Sequence, residues 1–91
     1  MEANGRYVYN TLRYHRLLMN YKFKDVARLL NLERQHQVGL WENGTQLPST
    51  INLLKLCIIY RSFPHELYPD LYQEISIEIA EQEEYLSNLL S

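Results

Sequence analysis

Apolar positions recur at helical spacing through most of this 91-residue chain. Val8, Leu12, His15 and Met19 share one stripe with Leu18 beside it, which predicts a first helix from Val8 to about Asn20. Val26, Ala27, Leu29 and Leu30 predict a second, short helix over 24–30 with those four side chains inward. Asn31 follows, and asparagine is the non-glycine residue best suited to the left-handed backbone that ends a helix and turns the chain. A third helix is expected over 34–43, anchored by Val38 and Trp41 and stopped by Gly44. Pro48 and Ser49 interrupt the pattern, and Ser49 is placed to cap a fourth helix over 50–60. Ser62, Phe63 and Pro64 break it again, leaving a short fifth helix over 65–67 before Pro69.

The tail, residues 70–91, carries two overlapping signals. Ile75, Ile77 and Ile79 alternate with Glu74, Ser76 and Glu78, as in a strand. Tyr72, Ile75, Ile79, Gln82, Leu86 and Leu89 instead follow a heptad seam. Ala80 and the glutamates and leucines that follow favour helix, and helix is the expectation. A seam of this kind must be covered, by the body, by a second copy's body or by a second tail. A parallel coiled coil is disfavoured, because it sets Glu78 against Glu83 and holds Gln82 in the core. Packing on a body or an antiparallel arrangement is expected instead. The domain plan is a flexible start over 1–7, a helical body over 8–70 and an acidic helix over 71–91.

Charge sharpens this division. Residues 1–61 hold all nine basic residues and four acids, a net +5. Residues 62–91 hold seven acids and no base, a net −7, which together recover the overall −2. A basic body suits an anionic polymer, and an acidic tail does not. No apolar run is long enough to span a membrane, and no charged start leads into an apolar stretch as a secretory signal would. Cys57 lies in an apolar run and reads as a buried thiol of a cytoplasmic protein, with reactivity the lesser alternative. The three histidines and Cys57 lack metal-ligand spacing, and no glycine-rich phosphate loop or nucleophile–base pair stands out. An enzyme is not expected, nor is a metal or cofactor. Eight tyrosines could stack on bases, but at helical spacing they read as residues at the edge of the core.

Residues 12–68 resemble the XRE/Cro-type helix-turn-helix family, the lambda repressor-like DNA-binding domains. The resemblance rests on Leu12, Arg16, Val26-Ala27 with Leu29-Leu30, the turn at Asn31, Val38, Trp41-Glu42-Asn43-Gly44, Pro48, Leu53-Leu54-Lys55-Leu56 and Glu66-Leu67. The stretch from Asn31 to Trp41 is one residue longer than in the commonest members, and Leu67-Tyr68-Pro69-Asp70-Leu71-Tyr72 is similar to the tail of a long-turn subgroup. The resemblance implies an all-α fold of five helices with a C-terminal extension helix. It implies a small Ala27 where two helices cross, Trp41 in the core, and an ion pair between Arg16 and Glu42, against the alternative of two exposed charges that never meet.

It also implies a regulator of transcription, prokaryotic or phage in type. Such a protein binds double-stranded DNA as a homodimer with the third helix in the major groove. Arg34, Gln35, His36, Gln37 and Leu40 would then read base edges. Lys22, Lys24, Asn43, Gly44, Thr45 and Gln46 would meet phosphate. Tyr72, Ile75, Ile79, Leu86 and Leu89 would form a dimer or packing seam. Three positions depart from the family pattern: Phe23 replaces a usual glutamine, Gly39-Leu40 replaces a usual polar pair, and Glu33 sets an acid beside the groove surface. Gly39 implies a close approach of something to its backbone. Phe23 with Leu40 could form an apolar patch for a protein partner, so the alternative function is an antitoxin-like or antirepressor-like interaction module with weak or no DNA binding.

Overall fold

The computed structural model describes residues 7–91, and all their regular structure is helical. The helices are α1 (Leu12–Leu18), α2 (Phe23–Leu30), α3 (His36–Glu42), α4 (Thr50–Tyr60), α5 (Pro64–Leu67) and α6 (Pro69–Leu90). Of the expected flexible start over 1–7, residues 1–6 lie outside the described residues. The strand signal in the tail is overridden: α6 runs without interruption through all three isoleucines. Pro69, expected to interrupt a helix, starts one, since the first turn has no use for its missing N–H.

The helix ends are set by local chemistry. Asn31 adopts a φ of 59° and ends α2, with the Leu32 N–H donating to Ala27 O at 2.9 Å. Ser49 Oγ accepts from the Asn52 N–H at 3.2 Å and caps α4. Asp25 and Glu66 reach back to the Lys22 and Phe63 amides at 2.7 and 2.8 Å, each satisfying a donor that the first turn of its helix leaves unpaired.

Two expectations about α1 are corrected. It begins at Leu12, and Val8 belongs to the irregular segment that precedes it. The reason is Asn10. Its Oδ1 accepts from the Leu12 N–H at 3.0 Å, while its Nδ2 donates to the carbonyls of Trp41 at 3.0 Å and Val8 at 3.1 Å. The Val8 N–H completes the join by donating to Gly44 O at 3.0 Å. The inward line of α1 then passes through Leu12 and Arg16, and Leu18 is left exposed. On α2, Val26, Ala27 and Leu30 are buried as expected, but Leu29 points outward. It lies about 100° round the helix from the centre of that buried line.

The core gathers Val8, α1, α2, α3, the second half of α4 and the Leu67-Tyr68 corner around Trp41. Cys57, expected to be buried, sits half-covered at its edge, where desolvation raises the thiol pKa. α6 leaves this body. Its first turn is held by α5, with Leu71 against the core, and every residue from Tyr72 onward is exposed, which stretches the molecule to 54 Å.

Candidate nucleic-acid interface

The second and third helices pack on one another, joined by the five residues 31–35. This connection shortens the expected third helix. Arg34 and Gln35 precede α3, and their carbonyls accept from the Gln37 and Val38 amides at 3.4 and 3.1 Å. They approach as a turn leading into α3, with exposed side chains.

One open groove, about 650 Å³, runs between α2 and this turn. Lys24 and Arg28 line it from α2, and Arg34, Gln35 and His36 line it from the connection and the start of α3. Glu33 is the acid among its lining residues. Among the described residues the one ion pair is Arg16 with Glu42, so Lys24, Arg28 and Arg34 have no carboxylate partner. Arg28 was not among the residues singled out from sequence. The signal was present: Lys24 and Arg28 are four apart on α2 and therefore share a face. Lys22, also exposed, precedes α2 outside this lining.

Other expected contacts are rearranged. Gln37 Nε2 donates to Gln46 Oε1 at 2.7 Å, so a residue expected to read bases and one expected to meet phosphate are tied to each other. The loop amides are already used: Asn43, Gly44, Thr45 and Gln46 donate to the carbonyls of Gly39, Trp41, Leu40 and Leu40 at 2.9, 3.1, 3.2 and 3.3 Å. Thr45 Oγ1 lies 2.6 Å from Asn43 Oδ1. Gly44 is buried, with a φ of 82°. The backbone amides of this loop therefore have partners within the body, while the side chains of Asn43 and Gln46 remain exposed. Its carbonyls and amides close the end of α3 and dock the N-terminal segment.

Phe23, one of the four residues that depart from the family pattern, belongs to a second cluster. Arg16 Nε and Nη2 donate to the two carboxylate oxygens of Glu42 at 2.6 and 3.1 Å, and Nη1 donates to Tyr21 O at 3.0 Å. Both side chains are more than nine-tenths covered. The hydrogen bonds to Glu42 raise the Arg16 pKa further above its ordinary value, against the opposing effect of burial. The ring of Phe23 lies over the guanidinium, with 4.4 Å from Cζ to the ring centroid. The same ring passes beside Gly39, where an added Cβ would sit 3.6 Å from Phe23 Cζ. Phe23 is thus the lid of the ion pair, and at ordinary contact distance from a Cβ at position 39 it does not require the glycine, so the expected close approach to that backbone is not found. Leu40 is half-covered on α3.

His15 is half-buried as expected at the core edge, with Nδ1 2.9 Å from Thr11 O, and His65 is exposed between Phe63 and Tyr72. Among the described residues no group of three or more His, Cys, Asp or Glu side chains could hold a metal ion. No helix among them is long and apolar enough to cross a membrane. No family model matches the chain, and no curated protein or solved structure matches it.

Proposed function

We propose that this chain is a sequence-specific DNA-binding regulator of transcription, built on a lambda repressor-like helix-turn-helix and acting as a homodimer. The observation that carries the reading is the groove in which Lys24, Arg28 and Arg34 stand beside Gln35 and His36, without carboxylate partners among the described residues. Cations on α2 and at the turn neutralise phosphates and set the register of the protein on the duplex. Gln35 and His36, at the entry to α3, offer hydrogen-bonding groups to base edges, glutamine in the bidentate manner that suits adenine. The ion pair between Arg16 and Glu42 ties the end of α3 to α1, and Gln35 and His36 at the entry to α3 are exposed.

Selection of binding sites from random duplex DNA at two salt concentrations tests this reading. A preferred sequence is expected, with affinity that falls steeply as salt rises. Gln35→Ala and His36→Ala are expected to relax the preference while retaining much of the non-specific affinity. Equal binding to every sequence by the wild type and both variants would remove the readout claim. The alternative interaction module predicts negligible affinity even at low salt. The apolar patch that motivated it is reduced, because the Phe23 ring is committed to Arg16 and Gly39.

A further inference from the structure

The exposed apolar face of α6 is the largest feature that the body leaves uncovered. Tyr72, Ile75, Ile79, Leu86 and Leu89 each remain 45–64% exposed along one side of a helix about 33 Å long. At its root the same side of α6 forms an apolar cleft of about 200 Å³ with Leu47, Pro48, Leu53 and Pro64. Leu71, Tyr72 and Ile75 line that cleft, so seam and cleft form one continuous surface.

We propose that a second copy of this chain covers that surface, through antiparallel pairing of α6 about a two-fold axis between residues 80 and 81. The proposal rests on the homodimer reading above and supplies its geometry. The first argument is spacing. Tyr72, Ile75, Ile79, Gln82, Leu86 and Leu89 are separated by 3, 4, 3, 4 and 3 residues, an order that reads the same in both directions. Reversed upon itself, the seam sets Tyr72 against Leu89, Ile75 against Leu86 and Ile79 against Gln82 of the second copy; Gln82 lies in the core in either direction, so charge rather than Gln82 separates the two arrangements. Each contact occurs twice, as an isologous interface requires.

The second argument is charge. Glu78 and Glu83 flank the seam on opposite sides. In a parallel pair Glu78 of one copy faces Glu83 of the other, an unfavourable like-charge contact. In the antiparallel register Glu78 lies nearest Tyr85, and Glu83 nearest Ser76, each about 3 Å apart along the axis. The acids at 74, 81 and 84 stay on the outer face.

The third argument is the cleft. The reversed register brings Leu89 and Leu90 of the second copy to the root of α6, where the cleft presents apolar walls. It also separates the two α6 starting points by about 35 Å.

Cysteine pairing tests the register independently of DNA. In a Cys57→Ser background, Tyr72→Cys and Leu89→Cys proteins are made separately, mixed in equal amounts and exposed to oxidised glutathione. The mixture is expected to form a covalent dimer containing one chain of each kind. Leu89→Cys alone is expected to remain uncrosslinked, because the two copies of residue 89 lie about 25 Å apart. A covalent dimer from Leu89→Cys alone would overturn the proposal in favour of a parallel pair. Sedimentation equilibrium of the Cys57→Ser parent provides a second readout. A dimer is expected, weakened roughly tenfold or more by Leu86→Asp. A monomer at all concentrations would also overturn the pairing. DNA titration of the same parent is scored separately, so a monomer that binds DNA and a dimer that does not are distinct results.

Discussion

Arg16 holds an inward position on α1 that an apolar side chain would ordinarily occupy. Its charge is tolerated there because every face of the guanidinium has a partner: a carboxylate, a carbonyl and an aromatic ring. Glu42→Ala leaves that charge buried and unpaired, and is expected to cost about 3–5 kcal/mol in denaturant unfolding. Tyr60 and Tyr68 present the opposite case. Their hydroxyls are buried with no hydrogen-bond partner among the described residues, and desolvation pushes both phenols well above their ordinary pKa. For Tyr60 the Glu42 carboxylate adds to the rise, and Arg16 opposes it. Because the folded pKa is the higher one, the folded state retains protons that the unfolded state loses above about pH 10. Stability is therefore expected to be intact below that pH and to fall above it. Thermal melts from pH 8 to 11 should show a shallower alkaline loss for Tyr60→Phe and Tyr68→Phe. Near neutral pH each variant should match or exceed the wild type, since a buried donor without a partner stabilises nothing.

At the scale of an element, α3 and its C-terminal loop join the molecule together more than they present a surface. Trp41, Glu42 and Gly44 each serve a different neighbour: the core, Arg16, and the Val8 segment. The two glycines of this region consequently separate. Gly44 has a φ of 82°, and a Cβ there would lie 2.6 Å from Val8 O, so Gly44→Ala is expected to destabilise by more than about 1 kcal/mol. Gly39 sits inside α3 with ordinary contact distances around an added Cβ, so Gly39→Ala should stabilise by about 0.5–1 kcal/mol. Urea midpoints of the pair check both signs. The turn at Asn31, the cap at Ser49 and the stop at Gly44 were legible in the sequence, because each depends on a local backbone requirement. The start of α1 was not. Asn10 acts through carbonyls more than thirty positions away, and no local pattern records that contact.

For the whole molecule, the separation of charge along the chain becomes a separation in space. The basic side chains of α2 and the turn line a groove on the body, while the acids of α6 extend away on a helix that the body does not cover. If the groove meets phosphate, Arg28→Ala should weaken binding to all duplex sequences alike and reduce the slope of log affinity against log salt by about one. Fluorescence anisotropy at three or more salt concentrations measures that slope. A variant with an unchanged slope would place Arg28 outside the interface. Of the candidate site, Lys24, Arg34, Gln35 and His36 were recognised from the resemblance, and the groove brings them together. Arg28 was missed, and the amides of the loop over 43–46, expected at phosphate, instead hydrogen-bond within the body.

Sequence alone determined the helical class, the turn and cap residues, and the split between a basic body and an acidic tail. These follow from periodicity, backbone preference and charge order, which are local or additive properties of the chain. Tertiary structure decided the rest. It put Arg16 rather than Leu18 on the inward line of α1, placed the Phe23 ring over the ion pair and beside Gly39, and turned the loop at Gly44 inward to hold Val8. Each outcome depends on which distant group is available to satisfy a charge, a ring or an amide, and only the packed chain specifies that group.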